Sequence, residues 1–436
     1  MKRFFQRNLV LKSSDEGMKI IVRGKKIQQL NTAVFICSLL ASLVPRYISA
    51  FKIRLIINIS LYTLAVLIVY MIFSRRFLVY KRIESYFIVV WFLFVILSLW
   101  RSEQFGAWAY YVDWTLTAVL FEQILYSSDR SDVFESVIKG LLLGLCIHLI
   151  IGFIEITLHK YFFGVSIAGR SYYGRVPVSI FHNPNDYVTY LITIFPFVIY
   201  MMYKQKTFVK KSLFAVIAVI TLYMINRSES RSAFFALLVL GIALVYLKFR
   251  KSGVSKIYIL LGFATVFLVL IANTRLREAV INLFVSNSVD AEATDLARIN
   301  LIKNGLYFVK RTYGAGVGAG NLHKWLSEKT IYNIGILRFM HNWYIELLAT
   351  FGVVFFALYS IFHVKIIINL IKRYNPNDII WNLDNTMLVS FVAFSIISIA
   401  SSSNIYSEWI WMYLIFMATY AMFVDKKYNT PKEIQK

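Results

Sequence analysis

Arginine side chains are placed in the polar segments of the chain in a pattern that indicates a site for an anion. Arg170 and Arg175 lie in one such segment, and Arg227 and Arg231 lie in another. The second pair is four residues apart, so on a helical turn the two cations share a face and repel each other unless an anion lies between them. An ion pair with Glu229 is the alternative, although one carboxylate neutralises only one of them. Guanidinium binds phosphate or carboxylate through two parallel hydrogen bonds, which favours a phosphate-type ligand.

A second polar group follows Arg175. Residues 181–186 read FHNPND, and the pairs Asn-Pro and Pro-Asn favour a turn. Asp186 is well placed to cap the helix predicted after this turn. A turn with a helix cap therefore explains Asn183 and Asp186 without a ligand, whereas their position beside the arginines also fits contact with a substrate.

The long polar segment 274–342 contains a third group. Apolar residues recur in it at helical spacing, which predicts an amphipathic helix lying on the membrane surface with Arg298 at the edge of its apolar stripe; the stripe comprises Leu296, Ile299, Ile302, Leu306 and Val309. A glycine-rich run, 314–320, follows. No strand is predicted before it, so a dinucleotide-binding loop is disfavoured. A flexible turn that approaches a ligand or the bilayer is the better interpretation.

The segment ends at His341 and Asn342, where the next helix is predicted to begin. The partial positive charge of a helix amino terminus disfavours imidazolium, so a neutral base would be available at His341. The alternatives are a phosphate contact and an ordinary hydrogen-bonded histidine. No second histidine lies at a metal-ligand spacing, so no zinc site is predicted.

Acidic residues in apolar segments are further candidates, since ionisable groups there are costly. Glu346 is one helical turn beyond Asn342, and Asp113, Glu155 and Glu408 also lie in apolar segments. An ion pair with a nearby arginine is the alternative for each.

These groups have to be positioned by helices in a membrane. The chain has 436 residues, of which 58% are hydrophobic and only 16% charged, whereas soluble domains carry about 25% charged residues. The composition predicts an all-α polytopic membrane protein with about twelve transmembrane helices of about 20 residues each. The predicted spans are 31–48, 55–73, 86–100, 108–126, 136–158, 186–203, 212–225, 232–247, 257–273, 343–371, 386–401 and 408–424.

The positive-inside rule orients this arrangement. With the amino terminus inside, the cytoplasmic segments hold 27 lysines and arginines, against 9 in or at the edges of the short outer loops. We therefore expect cytoplasmic tails at 1–30 and 425–436, helices over 31–273 and 343–424, and a long extracytoplasmic loop at 274–342. The net charge of +24 is explained by this rule, so no nucleic-acid partner is expected. The arginine groups all fall on the outer face.

The ordered set of motifs resembles the O-antigen ligase and polymerase family of bacterial envelope glycosyltransferases. The resemblance is carried by 181–186, by Ser230-Arg231-Ser232, by Ala297-Arg298 with its amphipathic helix, by 314–320 and by His341-Asn342. It covers roughly residues 170 to 370. Each motif alone is weakly specific, but the ordered set on one face of the membrane is more specific.

The resemblance implies a metal-independent, cofactor-free, inverting transferase on the outer face of a bacterial cytoplasmic membrane. Its donor would be an oligosaccharide linked to undecaprenyl pyrophosphate. By motif, the catalytic residues would be Arg231, Arg298 and His341. Other ligands of the pyrophosphate or substrate would come from Arg170, Arg175, Arg227, Asn183, Asp186, Asn342 and Glu346. Membrane lipid, a chain-length regulator and a flippase of the same pathway are the other partners it suggests.

Three functions remain open at this point. The first is a polymerase that joins lipid-linked repeat units of a capsule, exopolysaccharide or wall polymer. The second is a ligase that transfers finished glycan to a terminal acceptor. The third is a transporter of polysaccharide or lipid-linked glycan, which twelve spans would also suit. Transporters tend to carry charges near the bilayer midplane and to repeat their halves, and neither pattern is evident here.

Overall fold

The structure is a computed structural model that describes residues 31–43, 131–162, 175–181, 183–230, 232–233, 236–238, 240–241, 289–335, 337–374, 382–399, 405 and 407–423. Within these ranges every regular element is a helix, as the composition predicts. The spans predicted over 55–73, 86–100, 108–126 and 257–273 lie outside the described residues. So do Asp113, Arg170 and Arg231.

The described helices correspond to the remaining predicted spans except 232–247, of which only 232–233, 236–238 and 240–241 are described. They are α1 (Asn31–Ser42), α2 (Ser131–Leu158), α3 (Pro184–Lys204), α4 (Phe208–Arg227), α5 (Val289–Arg311), α6 (Leu322–Glu328), α7 (Trp343–Arg373), α8 (Leu383–Ile397) and α9 (Glu408–Phe423). By length and apolar composition, α2, α3, α4 and α7 could each cross a membrane, while α1 and α8 are shorter apolar helices. The total of about twelve spans stays a prediction.

Helix α3 lies at the centre of the bundle. It packs against α2, α4 and α8, and almost its whole length is buried. The Ser390 hydroxyl of α8 lies 2.7 Å from the Thr193 carbonyl oxygen of α3 and 2.8 Å from the Tyr413 hydroxyl of α9. Hydrogen bonds of this kind are how polar groups are accommodated inside an apolar bundle. By contrast, α4 exposes Val216 and Val219, as expected of a helix that faces lipid.

The helices pair so that the polar motifs come to one end of the bundle. At the other end Lys204 forms an ion pair with Glu135, and Arg373 Nε lies 2.6 Å from Asp384 Oδ1. We call the end with residues 155–162, 175–181, 183, 228–230, 341–342, 398–399, 405 and 407 the motif end. These are segments that the sequence analysis places on one face of the membrane.

Helix α7 is not one continuous rod. It is interrupted at Gly352, which has φ 84° and ψ −179°, a conformation that is essentially restricted to glycine. Trp343 Nε1 nevertheless donates a hydrogen bond of 2.8 Å to the hydroxyl of Tyr359. In a straight helix these residues would be about 24 Å apart along the axis, too far for their side chains to meet. Residues 343–351 (α7a) therefore fold back against 353–373 (α7b).

The contacts of α8 lead to the same conclusion. The Tyr344 hydroxyl of α7a donates to the Ser395 carbonyl oxygen at 2.9 Å, and His363 Nε2 of α7b lies 2.8 Å from the Ser395 hydroxyl. One residue of α8 thus touches both halves of α7. The predicted span 343–371 is consequently shorter than its apolar run suggests. The 21 residues of α7b, about 31 Å of helix, are long enough to cross a bilayer without α7a.

The glycine-rich run 314–320 provides hydrogen-bond partners for the backbone groups on both sides of the break in α7. The amides of Val317 and Gly318 donate to the last carbonyl groups of α7a at 2.8 and 2.9 Å, and the first amide of α7b donates to the Gly314 oxygen at 2.8 Å. A Cβ atom on Gly316 would lie 2.5 Å from the Gly352 nitrogen. The run is therefore a packed backbone-to-backbone contact, and not the flexible turn towards a ligand or the bilayer that the sequence suggests. A helix, α5, precedes it, so it is not a dinucleotide loop either.

Helix α5 packs on α7a and carries a small core of its own. Leu301 and Phe308 are buried there against α6 and the glycine-rich run. The predicted apolar stripe lies largely on the opposite side of α5, where Leu296, Ile299 and Leu306 are about half exposed. Such a stripe is expected of a helix at a membrane surface.

Candidate functional site

The motif end begins with the amino terminus of α3. Asn183 is the N-cap residue, and its Oδ1 accepts hydrogen bonds from the amides of Asn185 at 2.8 Å and Asp186 at 3.0 Å. The cap predicted at Asp186 is therefore wrong, because Asp186 lies inside the first turn. Asp186 is 93% buried as a residue, and capping does not explain why an acidic side chain lies there.

The segment around Arg231 is attached directly to this turn. Ser230 Oγ donates to Asn185 Oδ1 at 2.8 Å and lies 2.9 Å from Ser232 Oγ. Arg231 itself is outside the described residues, but both of its neighbours are held beside the start of α3. Two motifs 45 positions apart in the chain are thus brought together.

A third segment, residues 175–181, lies next to these two. Arg227 Nη2 donates to the Arg175 carbonyl oxygen at 3.1 Å, which joins the end of α4 to this segment. Arg227 Nε is buried and has no hydrogen-bond partner among the described residues. The Arg175 side chain is exposed.

Glu155 holds the same segment in place. It is fully buried, and its Oε2 accepts from the amides of Val178 at 3.0 Å and Ser179 at 2.7 Å. Among the described residues, backbone amides therefore bind this carboxylate, in place of the arginine that was the alternative from the sequence. His148 Nδ1 lies 3.0 Å from the Ser179 hydroxyl, which fixes the same residue from the other side. His148 belongs to none of the sequence motifs, so nothing in the sequence indicated that it supports this segment.

The second half of the site is built around His341. The residue has φ 52°, a left-handed conformation that is uncommon for residues other than glycine. Asn342 is the N-cap of α7a, with its Oδ1 accepting from the Ile345 amide at 3.0 Å. Glu346, in the first turn, is 99% buried. His341 thus lies at a helix amino terminus, as the sequence predicts.

Arg298 lies on α5, the helix that packs against α7a. Its side chain is partly buried, beside the buried Ala297 and one turn from the buried Leu301. Gly305 of the same helix approaches Ile345 and Met340, and a Cβ at Gly305 would be 2.6 Å from Ile345 Cγ2. Arg298 is therefore on the same helix that contacts Met340, before His341, and Ile345, after it.

The two halves meet on either side of the first turn of α9. The Tyr190 ring of α3 lies 5.0 Å from Trp409, and the Trp343 ring of α7a lies 5.5 Å from Trp411. The Trp343 amide also donates to the Ser398 carbonyl oxygen at 3.0 Å. Aromatic packing thus connects the start of α3, the start of α9 and the start of α7a within one core.

The candidate residues include several groups that can bind anions. Arg175, Arg227 and Arg298 come from three separate segments, and the amino termini of α3 and α7a add the positive ends of two helices. Among the residues that the structure describes, no group of three His, Cys, Asp or Glu could hold a metal ion. Such an arrangement can stabilise negative charge on a ligand through preorganised donors.

The chain is similar to known proteins of bacterial surface polysaccharide biosynthesis. Residues 213–360 match the Wzy_C family, described as O-Antigen ligase. The chain is also 28% identical over 346 residues to the teichuronic acid biosynthesis protein TuaE of Bacillus subtilis (strain 168), an alignment that covers 76% of this chain and 70% of the relative. The matched region includes Ser230-Arg231-Ser232, Arg298, the glycine-rich run and His341-Asn342. Residues 213–360 are thus similar to the O-antigen ligase family, and the chain as a whole resembles a protein of teichuronic acid biosynthesis.

Proposed function

We propose that this protein is a polymerase that joins lipid-linked oligosaccharide repeat units on the outer face of a bacterial cytoplasmic membrane. The donor is an oligosaccharide on undecaprenyl pyrophosphate, and the product is a wall polymer, capsule or exopolysaccharide. The chain has about twelve spans, with both termini and residues 1–30 and 425–436 in the cytoplasm and 274–342 outside. The similarity to a teichuronic acid biosynthesis protein supports a wall polymer.

One observation carries the proposal. The start of α3, the segment around Ser230 and the start of α7a, which the chain separates widely, all lie at one end of the bundle around α9. Each brings a side chain or helix end suited to an anion. A diphosphate with an attached sugar is the ligand that this combination of arginines and a neutral base fits best.

The reaction follows from these groups. A hydroxyl oxygen of the acceptor sugar attacks the anomeric carbon, and the bond from that carbon to the diphosphate oxygen breaks with inversion. The diphosphate leaves with the bonding electron pair, and Arg231 and Arg298 stabilise its growing charge. His341 accepts the hydroxyl proton as a general base. Arg170, Arg175 and Arg227 contact the pyrophosphate, while Asn183, Asp186, Asn342 and Glu346 bind the sugars or orient these groups.

A ligase is the second candidate, and the description of the matching family favours it. Purified protein in nanodiscs, supplied with a lipid-linked repeat unit, separates the possibilities. A ladder of products means a polymerase, and a single transfer to a different acceptor means a ligase. Unaltered substrate carried across a vesicle wall would mean a transporter and would refute both enzymatic proposals.

Two substitutions test the assigned residues. Arg298→Lys keeps the charge but loses the planar fork, so we expect turnover to fall about a hundredfold to a thousandfold. His341→Ala should abolish turnover while donor binding persists. Equal loss of binding and turnover would instead make His341 a phosphate ligand.

Arg311→Lys provides the matched control for the arginine. Arg311 ends the same helix, is exposed, and lies over the Trp325 ring 5.6 Å from its centroid. Turnover in this variant should stay within about twofold of wild type. Full activity of Arg298→Lys, measured beside this control, would remove Arg298 from the site.

A further inference from the structure

The loop that ends at His341 is fastened at its beginning by one buried residue of α5. Asn304 is fully buried. Its Oδ1 accepts from the amides of Ile331 at 2.9 Å and Tyr332 at 3.1 Å, and its Nδ2 donates to the Tyr332 carbonyl oxygen at 2.9 Å. The side chain therefore satisfies three backbone groups, while Ile331 and Tyr332 themselves are exposed. The amide side chain of Asn304 therefore binds the first residues of the loop through specific hydrogen bonds.

The end of the same loop is seated on the next residue of α5. A Cβ atom at Gly305 would lie 3.1 Å from Met340 Cε as well as 2.6 Å from Ile345 Cγ2. Met340 is 99% buried and directly precedes His341, while Ile345 is in the first turn of α7a. An added Cβ at 305 would therefore displace Ile345, which follows His341, and press on the end of the Met340 side chain, which precedes it.

His341 needs this support because its backbone is strained. A left-handed residue other than glycine persists only where its surroundings hold it there. From the carboxyl side it is held by the Asn342 cap and by the hydrogen bond of 3.0 Å from the Trp343 amide to Ser398. From the amino side, the loop 331–340 is held by Asn304 and Gly305. Both are on the helix that carries Arg298.

We propose that Asn304 and Gly305 are positioning residues, which fix the His341 imidazole relative to Arg298 by seating both ends of loop 331–340 on α5. This inference rests on the proposed function for its effect on turnover. The contact of the loop with α5 does not depend on that function. The two parts can therefore be measured separately.

Asn304→Leu is the main test, since it keeps the volume and removes all three hydrogen bonds. Hydrogen–deuterium exchange of the full-length protein in nanodiscs should show the amides of residues 331 and 332 exchanging about tenfold to a hundredfold faster. With the lipid-linked donor, kcat should fall about tenfold to a hundredfold because the base is misplaced, while the KM for donor changes by less than about twofold. Thermal unfolding and size exclusion establish that the variant is folded.

Three further variants keep the test decisive if Asn304→Leu does not fold. Asn304→Asp retains the acceptor for both amides, so exchange should stay near that of wild type and most of the turnover should return. Gly305→Ala should lower kcat without faster exchange at 331 and 332, since it acts at the other end of the loop. Asn300→Leu is the matched control: Asn300 lies one turn earlier on α5 and donates a single exposed hydrogen bond of 2.8 Å to the Asn333 oxygen, so its loss should leave kcat unchanged.

The outcomes separate the hypotheses. Unchanged exchange in Asn304→Leu would show that the fastening does not exist in solution. Faster exchange with wild-type kcat, or an equal loss of kcat and donor binding, would overturn the positioning role. If the wild-type protein itself transfers no glycan, the proposed function fails, and the exchange measurement still decides whether Asn304 holds the loop.

Discussion

Asp186 and Asn183 show how two polar residues three positions apart can have different roles. Both could serve as helix cap or as ligand by their type alone. In the structure Asn183 makes both capping hydrogen bonds, at 2.8 and 3.0 Å, and Asp186 is left as a buried carboxylate in the first turn of α3. A buried charge that no capping role explains is a candidate for function.

A pair of substitutions separates the two roles. Asn183→Ala should lower the free energy of unfolding by about 1 kcal/mol, the usual effect of losing an N-cap, and leave much of the turnover. Asp186→Asn should lower stability by less than about 1 kcal/mol, because it removes a favourable charge from a helix amino terminus. Its turnover should fall about tenfold or more. Thermal unfolding and a glycan transfer assay measure the two effects, and full activity of Asp186→Asn would remove it from the site.

At the scale of elements, the break in α7 has the largest consequence for the site. It allows α7a to fold back so that Trp343, the first residue after His341 and Asn342, contacts Tyr359. The carbonyl and amide groups freed by the break are satisfied by the glycine-rich run. Unsatisfied backbone groups in an apolar environment cost several kcal/mol, so the run and the break require each other.

Gly352→Ala should therefore be strongly destabilising. The residue has φ 84°, and an added Cβ would lie 2.2 Å from the Gly314 oxygen, which is backbone and cannot move aside. We expect the free energy of unfolding to fall by about 3 kcal/mol or more, measured by thermal unfolding in detergent. Gly335→Ala is the control, since Gly335 also has a positive φ, 58°, but nothing lies within 4 Å of its Cβ position. It should cost only about 1–2 kcal/mol, and equal effects of the two changes would contradict the packed interface.

For the whole molecule, the polar motifs share one end of the bundle, and the charge pattern predicts that this end is outside. Tyr313→Cys, at a residue 99% exposed, should react with a membrane-impermeant maleimide in intact cells. Lys210→Cys, exposed near the start of α4 at the other end, should react only after permeabilisation. Both are made in a background with Cys37 and Cys146 replaced by serine. The reverse labelling pattern would place the motif end in the cytoplasm and exclude transfer on the outer face.

Much of the molecule could be predicted from its sequence. Hydropathy and the spacing of apolar residues are local properties, so the helices at 131–158, 184–204, 208–227 and 408–423 were expected within a few residues. The same reasoning placed an amphipathic helix around Arg298, and a helix start after Asn342. It also singled out the arginines, His341 and an ordered set of motifs, most of which lie in the region 213–360 that is similar to the O-antigen ligase family.

The tertiary structure decided what depends on contacts between distant segments. Continuous apolar sequence across 343–371 gives no sign that the helix turns back at Gly352, because glycine is also tolerated inside helices and only packing against 314–318 makes the break stable. Likewise Asn304 is one polar residue of an amphipathic helix until loop 331–332 folds over it. Hydropathy is a property of each local stretch of sequence. A hydrogen bond between residues far apart in sequence exists only once packing has brought them together and excluded water.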